Sequence, residues 1–285
     1  MAYKPSPRPT FDRPTHIPYA QVTRHLWGDE ASGTVDDWIY VSSDKIHQLV
    51  FGLAPGQAFR HSPEFRTVFG ADEVLYVLAG RFGCANPETG EVQVAEPGEA
   101  IFFRRDTWHH GFNLGTQPLR VLEFFAPPPS TGTSGAYART RPYVEQSAYT
   151  QDQWLGRLPM ESAAAAAGRS MRVLRDADLH WRLEGRGQTS LVGLYCATEH
   201  LTVGRLRLLP GQRSDIVVRG GDEGLYLLSG QLNILAPEAE GQRWFELHPR
   251  DGFYLPQGAP RQYQNLSAEP AELLFGVAPR YLPGD

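Results

Sequence analysis

The sequence predicts an all-β protein with two like halves, and three observations carry that prediction. Short apolar or alternating runs, separated by Gly, Pro, Asn and Asp, fill most of the chain, which holds 29 glycines and 23 prolines in 285 residues. The same runs recur in the same order in both halves. Only one stretch, "ESAAAAAGRSMRVLR" from Glu161, has clear helical propensity, and Gly168 interrupts it.

In chain order, residues 1–35 are polar and Pro-rich and read as an N-terminal arm that lies on something, since their few apolar residues cannot form a core alone. Residues 36–128 carry the first block of strands: "DWIYVSS", "KIHQLVFGLAPG", "EVLYVLAGRFGCA", "EAIFFRR" and "PLRVLEFFAPPP", whose three prolines end it. Residues 129–190 read as a linker with a short helix. From Leu191 to the end the strand pattern resumes with "LVGLYCA", "LTVGRLRLLPGQ", "GLYLLSGQLNILA", "GFYLPQ" and "AELLFGVAP".

Three pairs of segments match in register. "FGLAPGQ" at 51–57 answers "LRLLPGQ" at 206–212, "DEVLYVLAG" at 72–80 answers "DEGLYLLSG" at 222–230, and "WHHGFN" at 108–113 answers "PRQYQN" at 260–265. Single apolar runs resemble one another by chance, but three in order and at like spacing indicate a duplicated unit.

Bulk composition narrows the function. Hydrophobic residues are 41% of the chain, enough for two cores, and the net charge of -5 without a basic block argues against a nucleic-acid surface. No apolar run approaches the length of a membrane span. Cys84 and Cys196 lie far apart in separate strand-like runs and read as buried free thiols, which argues against a disulfide framework and against a thiolate zinc site, since that needs clustered cysteines. The first ten residues lack the apolar core of a secretory leader, so the expectation is a soluble, cytoplasmic protein.

Each unit has a Pro-Gly turn, an acidic pair, an apolar strand ending in Gly, and a strand ending in Asn. This pattern resembles the cupin superfamily. Cupins carry a Gly, a His-x-His and a Glu seven residues before a second Gly. A later Gly precedes a Pro-x-Gly turn and a His followed four residues on by Asn. Here Gly56, Glu73 and Gly80 fit the first signature, and Gly98, His109 and Asn113 the second. "RHSPEFR" replaces His-x-His and leaves His61, with Glu64 three residues later, and "RRD" replaces the Pro-x-Gly turn. In the second unit Gly211, Glu223, Gly230, Gly258 and Asn265 fit, while "RSDIVV" and Arg261 replace the histidines. The resemblance implies two tandem cupin barrels of the jelly-roll, or double-stranded β-helix, type, with a bowl inside each and frequent pairing as homodimers.

Two imidazoles and a carboxylate facing one interior leave positions open on a divalent first-row metal. Alternate residues of a barrel strand point inward, so distant strands deliver ligands to one point. The expected ligands are His61, Glu73 and His109, with Glu64 as a fourth or as a replacement for Glu73. Arg60, Tyr76 and His110 are candidates to bind or process substrate, although His110 faces the other way unless a bulge shifts the register. Arg104 and Arg105 flank the site and read equally as solvated turn residues. His47, on an apolar strand, reads as a core histidine. Arg213, Asp215, Glu223 and Arg261 are expected to fill the second bowl with ion pairs, because an arginine cannot ligate a metal.

The resemblance therefore implies one divalent metal per chain, with Fe(II) favoured over Mn, Ni or Zn, and a small anionic or aromatic substrate. Dioxygenase chemistry is the leading expectation. The alternatives are Lewis-acid isomerase, lyase or decarboxylase chemistry, a non-catalytic small-molecule-binding bowl, and a storage-type bicupin. No nucleic acid or membrane partner is expected.

Overall fold

The computed structural model describes residues 6–30, 32–61, 69–87, 89–127 and 169–283. The first unit holds β1 (Thr15–Ile17), β2 (Thr23–Asp29), β3 (Gly33–Ser42), β4 (His47–Leu53), β5 (Ala58–Arg60), β6 (Asp72–Ala79), β7 (Phe82–Asn86), β8 (Glu91–Ala95), β9 (Ala100–Phe103), β10 (His110–Asn113) and β11 (Leu119–Ala126). The second holds β12 (Met171–Leu174), β13 (His180–Glu184), β14 (Ser190–Ala197), β15 (Thr202–Leu208), β16 (Asp222–Ser229), β17 (Leu232–Leu235), β18 (Trp244–Leu247), β19 (Gly252–Leu255), β20 (Gln262–Gln264) and β21 (Ala271–Ala278).

Each unit contributes a large sheet and a small one. The large sheets run β12-β9-β6-β11-β4-β3-β2 and β1-β19-β16-β21-β15-β14-β13, and the small ones β5-β10-β7-β8 and β18-β17-β20. The two large sheets have the same order, strand for strand, which confirms the duplication. Their end members are exchanged: β1 pairs with β19 of the second barrel, and β12 pairs with β9 of the first. The arm is thus an integral strand of the other unit's sheet. Of the expected helical stretch, residues 161–168 lie outside the described residues, and Met171–Leu174 form a strand. The alanine-rich propensity does not extend into this segment because Met171 and Leu174 are buried against the first barrel's sheet.

Register sorts side chains between two cores. In β6, Leu75 and Val77 join the interior of the first barrel with Phe51, Phe82, Ile101 and Phe103. Val74 and Tyr76, on the opposite face, join a core that also contains Tyr195, Val203, Tyr226 and Leu274 of the second unit. The outer faces of the two large sheets therefore pack on each other, and each inner face lines a bowl.

Fold-determining residues are those that behave alike in both units. Asn113 Nδ2 donates to the Leu53 and Gln117 carbonyls (3.1 and 2.8 Å), and Asn265 Nδ2 to those of Leu208 and Glu269 (3.0 and 2.8 Å). Gly80 and Gly230 adopt left-handed φ values of 83° and 76°, and a Cβ at either would fall within 3 Å of the facing backbone. The acidic pairs split their duties. Asp72 accepts from Thr198 Oγ1 of the second unit at 2.6 Å, and Asp222 from Ser43 Oγ of the first at 3.0 Å, so both aspartates tie the barrels together. Their neighbours Glu73 and Glu223 turn into the bowls.

Candidate metal centre

Glu73 is paired with Phe125 on β11 and with Phe103 on β9, and Phe125 is paired with His47 on β4. Residues directly opposite across a ladder share a face, so these four form one layer of the bowl wall. Below it lies a layer of Leu49, Glu123, Leu75 and Ile101.

His61 follows β5 and His109 precedes β10, which puts both beside the small sheet. Their rings lie 4.5 Å apart, centre to centre, and His109 Nε2 stands 3.9 Å from Glu73 Oε2. Aromatic rings surround the pair: Phe59 at 5.2 Å and Trp27 at 5.5 Å from His61, Phe103 at 4.7 Å from His109, and Phe69 near both. His61, Glu73 and His109 are all buried.

Burial sets the protonation states. It holds His61 well below the usual histidine range, with neighbouring His109 and His110 adding to the effect, and it lowers His109 to about 3. Both imidazoles are neutral at pH 7, the state in which a histidine ligates. Glu73 is raised by burial and by Glu123, whose carboxyl lies within hydrogen-bonding reach. Asp37 is raised by burial and by the same Glu123. The interior thus carries three carboxyls, and none forms an ion pair with an arginine or lysine among the described residues.

The chain's own donors fit a divalent ion by type and by need. His61 Nδ1 and Glu73 Oε2 are buried without hydrogen-bond partners, and such atoms cost free energy unless a ligand satisfies them. The expected set shares one bowl but is not a closed cage: among the described residues, no three His, Cys, Asp or Glu side chains form a ready-made cation site. Glu64 lies in residues 62–68, outside the described residues.

The other candidates divide. His110 does not join the donors. It begins β10 opposite Arg60, and its Nδ1 accepts from the His61 backbone N–H at 3.1 Å, fixing the backbone that carries His61. Arg60 is exposed and lies over the Phe112 ring at 5.8 Å, on the face away from the bowl's interior. Tyr76 packs edge-on against Tyr195 at 5.9 Å in the core between the barrels, because its position in β6 faces opposite to Glu73. Arg104 binds Asp72 at 2.9 Å and also Glu199 of the second unit, and Arg105 is exposed. His47 is a core histidine, held by Ser42 Oγ at 2.9 Å and packed on Phe125.

Sequence reasoning missed Glu123 and Asp37. Both are polar residues inside apolar strands, a signal that by itself assigns neither to a site, and the second unit supplies the contrast: Phe275 stands in register where Glu123 does, and Val192 where Asp37 does.

In the second bowl Glu223 binds Arg261 closely and accepts from Tyr263 Oη at 2.9 Å. Arg219, also missed, donates to Glu184 at 3.0 Å and lies 3.8 Å from the Tyr281 ring centre. Of the expected ion pairs, Glu223–Arg261 is present; Arg213 is exposed and does not fill the bowl, and Asp215 caps the 186–188 loop through three backbone N–H groups.

Residues 52–125 match the family model of the cupin domain. A sequence search finds no curated relative. Solved structures similar to the chain include a protein of Pseudomonas aeruginosa described as glyoxylate-induced, with 15% identity, covering 98% of this chain and 94% of that one, at a TM-score of 0.64. Oxalate decarboxylase of Bacillus subtilis has 14% identity, covering 95% and 77%, at 0.59. Protein YlbA of E. coli has 10% identity, covering 93% and 90%, at 0.63. At such identities the structures speak for fold: residues 52–125 are a cupin domain, and the whole chain has the fold of two cupin barrels in tandem.

Proposed function

We propose that the first barrel is a divalent-metal centre and that the protein is a metal-dependent cupin enzyme acting on a small, largely apolar molecule. The observation that carries this reading is the pair of partnerless buried donors, His61 Nδ1 and Glu73 Oε2, beside a neutral His109. His61, His109 and Glu73 would hold the ion. A bound ion there would supply Lewis acidity and open positions for a substrate oxygen and dioxygen, which favours Fe(II) and oxygenase chemistry.

The protein's own part is positioning and exclusion of water. Phe59, Phe69, Phe103 and Trp27 form an apolar wall around the two imidazoles, suited to an aromatic or aliphatic substrate. Glu123 holds the Glu73 carboxyl from the layer below. His110 holds the His61 main chain.

A lyase reading is second. It is favoured by the likeness to oxalate decarboxylase, in which Mn(II) centres are described. A dianionic substrate, however, calls for a cationic side chain, and Arg60 lies outside this bowl.

Elemental analysis of the purified chain and of His109→Ala tests the metal. The reading predicts near-stoichiometric metal in the wild type and loss in the variant. A wild type that stays empty after incubation with Fe(II), Mn(II) and Zn(II) contradicts it, and the binding-module reading replaces it. Oxygen uptake by the Fe(II)-loaded protein with small aromatic acids and alcohols then separates oxygenase from lyase.

A further inference from the structure

His61 lies one residue past the last pair of the β5–β10 ladder, Arg60 opposite His110, and there side chains take over from the ladder. Trp108 Nε1 donates to the His61 carbonyl, and His110 Nδ1 accepts from the His61 N–H at 3.1 Å. The Trp108 and His110 rings meet edge to face with centres 5.6 Å apart, and Trp108 is fully buried. Both main-chain polar groups of His61 are thus held by the two sequence neighbours of His109, while the ring of His109 itself stands 4.5 Å from that of His61. His110 Nδ1 also lies 3.1 Å from the His109 carbonyl. A carbonyl only accepts and a main-chain N–H only donates, so the nitrogen serves one of them at a time. With the ring proton on Nε2, Nδ1 takes the bond from His61.

The second barrel holds its chain differently. Arg261 stands where His109 does, and it pairs with Val217 through two main-chain hydrogen bonds of 2.8 and 3.0 Å. Pro260 and Gln262 replace Trp108 and His110; proline has no side-chain donor, and Gln262 Nε2 donates to the Ser214 carbonyl at 2.9 Å. The indole and the imidazole at 108 and 110 accompany the histidine pair and are missing from the unit that lacks it.

We propose that Trp108 and His110 form a clamp, two positioning residues that grip the main chain of His61 and set the spacing of the His61 and His109 rings before an ion arrives. The clamp rests on the reading of the first barrel as a metal centre. Ligand atoms must lie within about 0.2 Å of their proper distances. A main chain that turns to find a new partner for a buried carbonyl carries its ring out of that range.

Trp108→Phe keeps an aromatic ring and deletes the donor. Trp38→Phe is the control, because Trp38 is buried in the core between the barrels and its Nε1 has no hydrogen-bond partner. In crystals of the metal-free variants, the His61 and His109 ring centres are expected to leave their 4.5 Å spacing in Trp108→Phe and to keep it in Trp38→Phe. In calorimetric titration with Mn(II), Trp108→Phe is expected to bind about ten-fold more weakly than wild type, and Trp38→Phe as wild type does. His110→Leu should weaken binding likewise, and His110→Asn, whose side-chain oxygen accepts from the His61 N–H, should restore it. Melting curves establish that each variant is folded, and the two His110 variants decide the matter if Trp108→Phe is not. Rings unmoved in Trp108→Phe, or wild-type Mn(II) affinity in Trp108→Phe or His110→Leu, overturns the clamp and leaves the metal reading standing. A wild type that binds no metal overturns the metal reading instead, and the ring spacing in the metal-free crystals then decides the clamp by itself.

Discussion

Glu73 and Glu223 occupy the same position in two copies of one unit and meet opposite surroundings. Glu223 lies against Arg261, Tyr263 and Arg219, whereas Glu73 lies against Glu123 and a neutral His109. One acid is paired with arginine inside the protein; the other has no cationic partner among the described residues. Substitutions should separate the two cases. Arg261→Met removes the nearer of the two cations beside a buried carboxylate, leaving Arg219 at 3.8 Å, and is expected to destabilise the protein by about 3 kcal/mol, measured by denaturant unfolding. Glu123→Leu removes a buried, uncompensated acid. It is expected to raise the melting temperature of the metal-free protein and to weaken metal binding, read by thermal shift with and without Mn(II). A lower metal-free melting temperature in Glu123→Leu contradicts this view of the pair. His109 was legible in sequence because its spacing to Asn113 fits a family signature. Glu123 was not, because no signature covers β11 and its role rests on a diagonal contact across the ladder. Tyr76 was misread for a related reason: proximity in sequence to Glu73 says nothing of face, and an offset of three residues in a strand places the two side chains on opposite sides.

At the scale of elements, the exchange of β1 and β12 explains why two segments read as arm and linker are needed by the barrels they cross to. Ile17 is buried in the core between the barrels, and His16 Nε2 lies 3.0 Å from Asp251 Oδ2 just before β19. Ile17→Ala is expected to cost about 2–4 kcal/mol. Hydrogen exchange should locate the loss first in β19, residues 252–255, which belong to the second barrel. Protection lost first in β2 and β3 instead would contradict the exchanged pairing. The strands that repeat as apolar runs were all legible in the sequence. The exchanged ones were not, since three- and four-residue strands carry too short a pattern to register, and their partners lie more than 60 residues away in the chain.

For the whole molecule, the shared core between the two large sheets makes the barrels one folding unit, and a single unfolding transition is expected. Its acid limb has an identifiable contributor. Burial, aided by Arg8, lowers His47 to about 3, whereas an unfolded histidine titrates near 6.5. Between those values the unfolded chain binds the additional proton, so this contribution to stability is full above about pH 6.5 and is lost as pH falls toward 3. His47→Gln should flatten the fall in stability across that window, and an unchanged pH profile contradicts the assignment. Two barrels, one with the means to hold a cation and one with its acid already paired, form the central claim. The direct measurement is an anomalous difference map at the manganese edge from crystals grown with Mn(II). The account predicts a single site per chain, bonded to His61, His109 and Glu73, and none beside Glu223. A peak beside Glu223, or none in the first bowl, would contradict it.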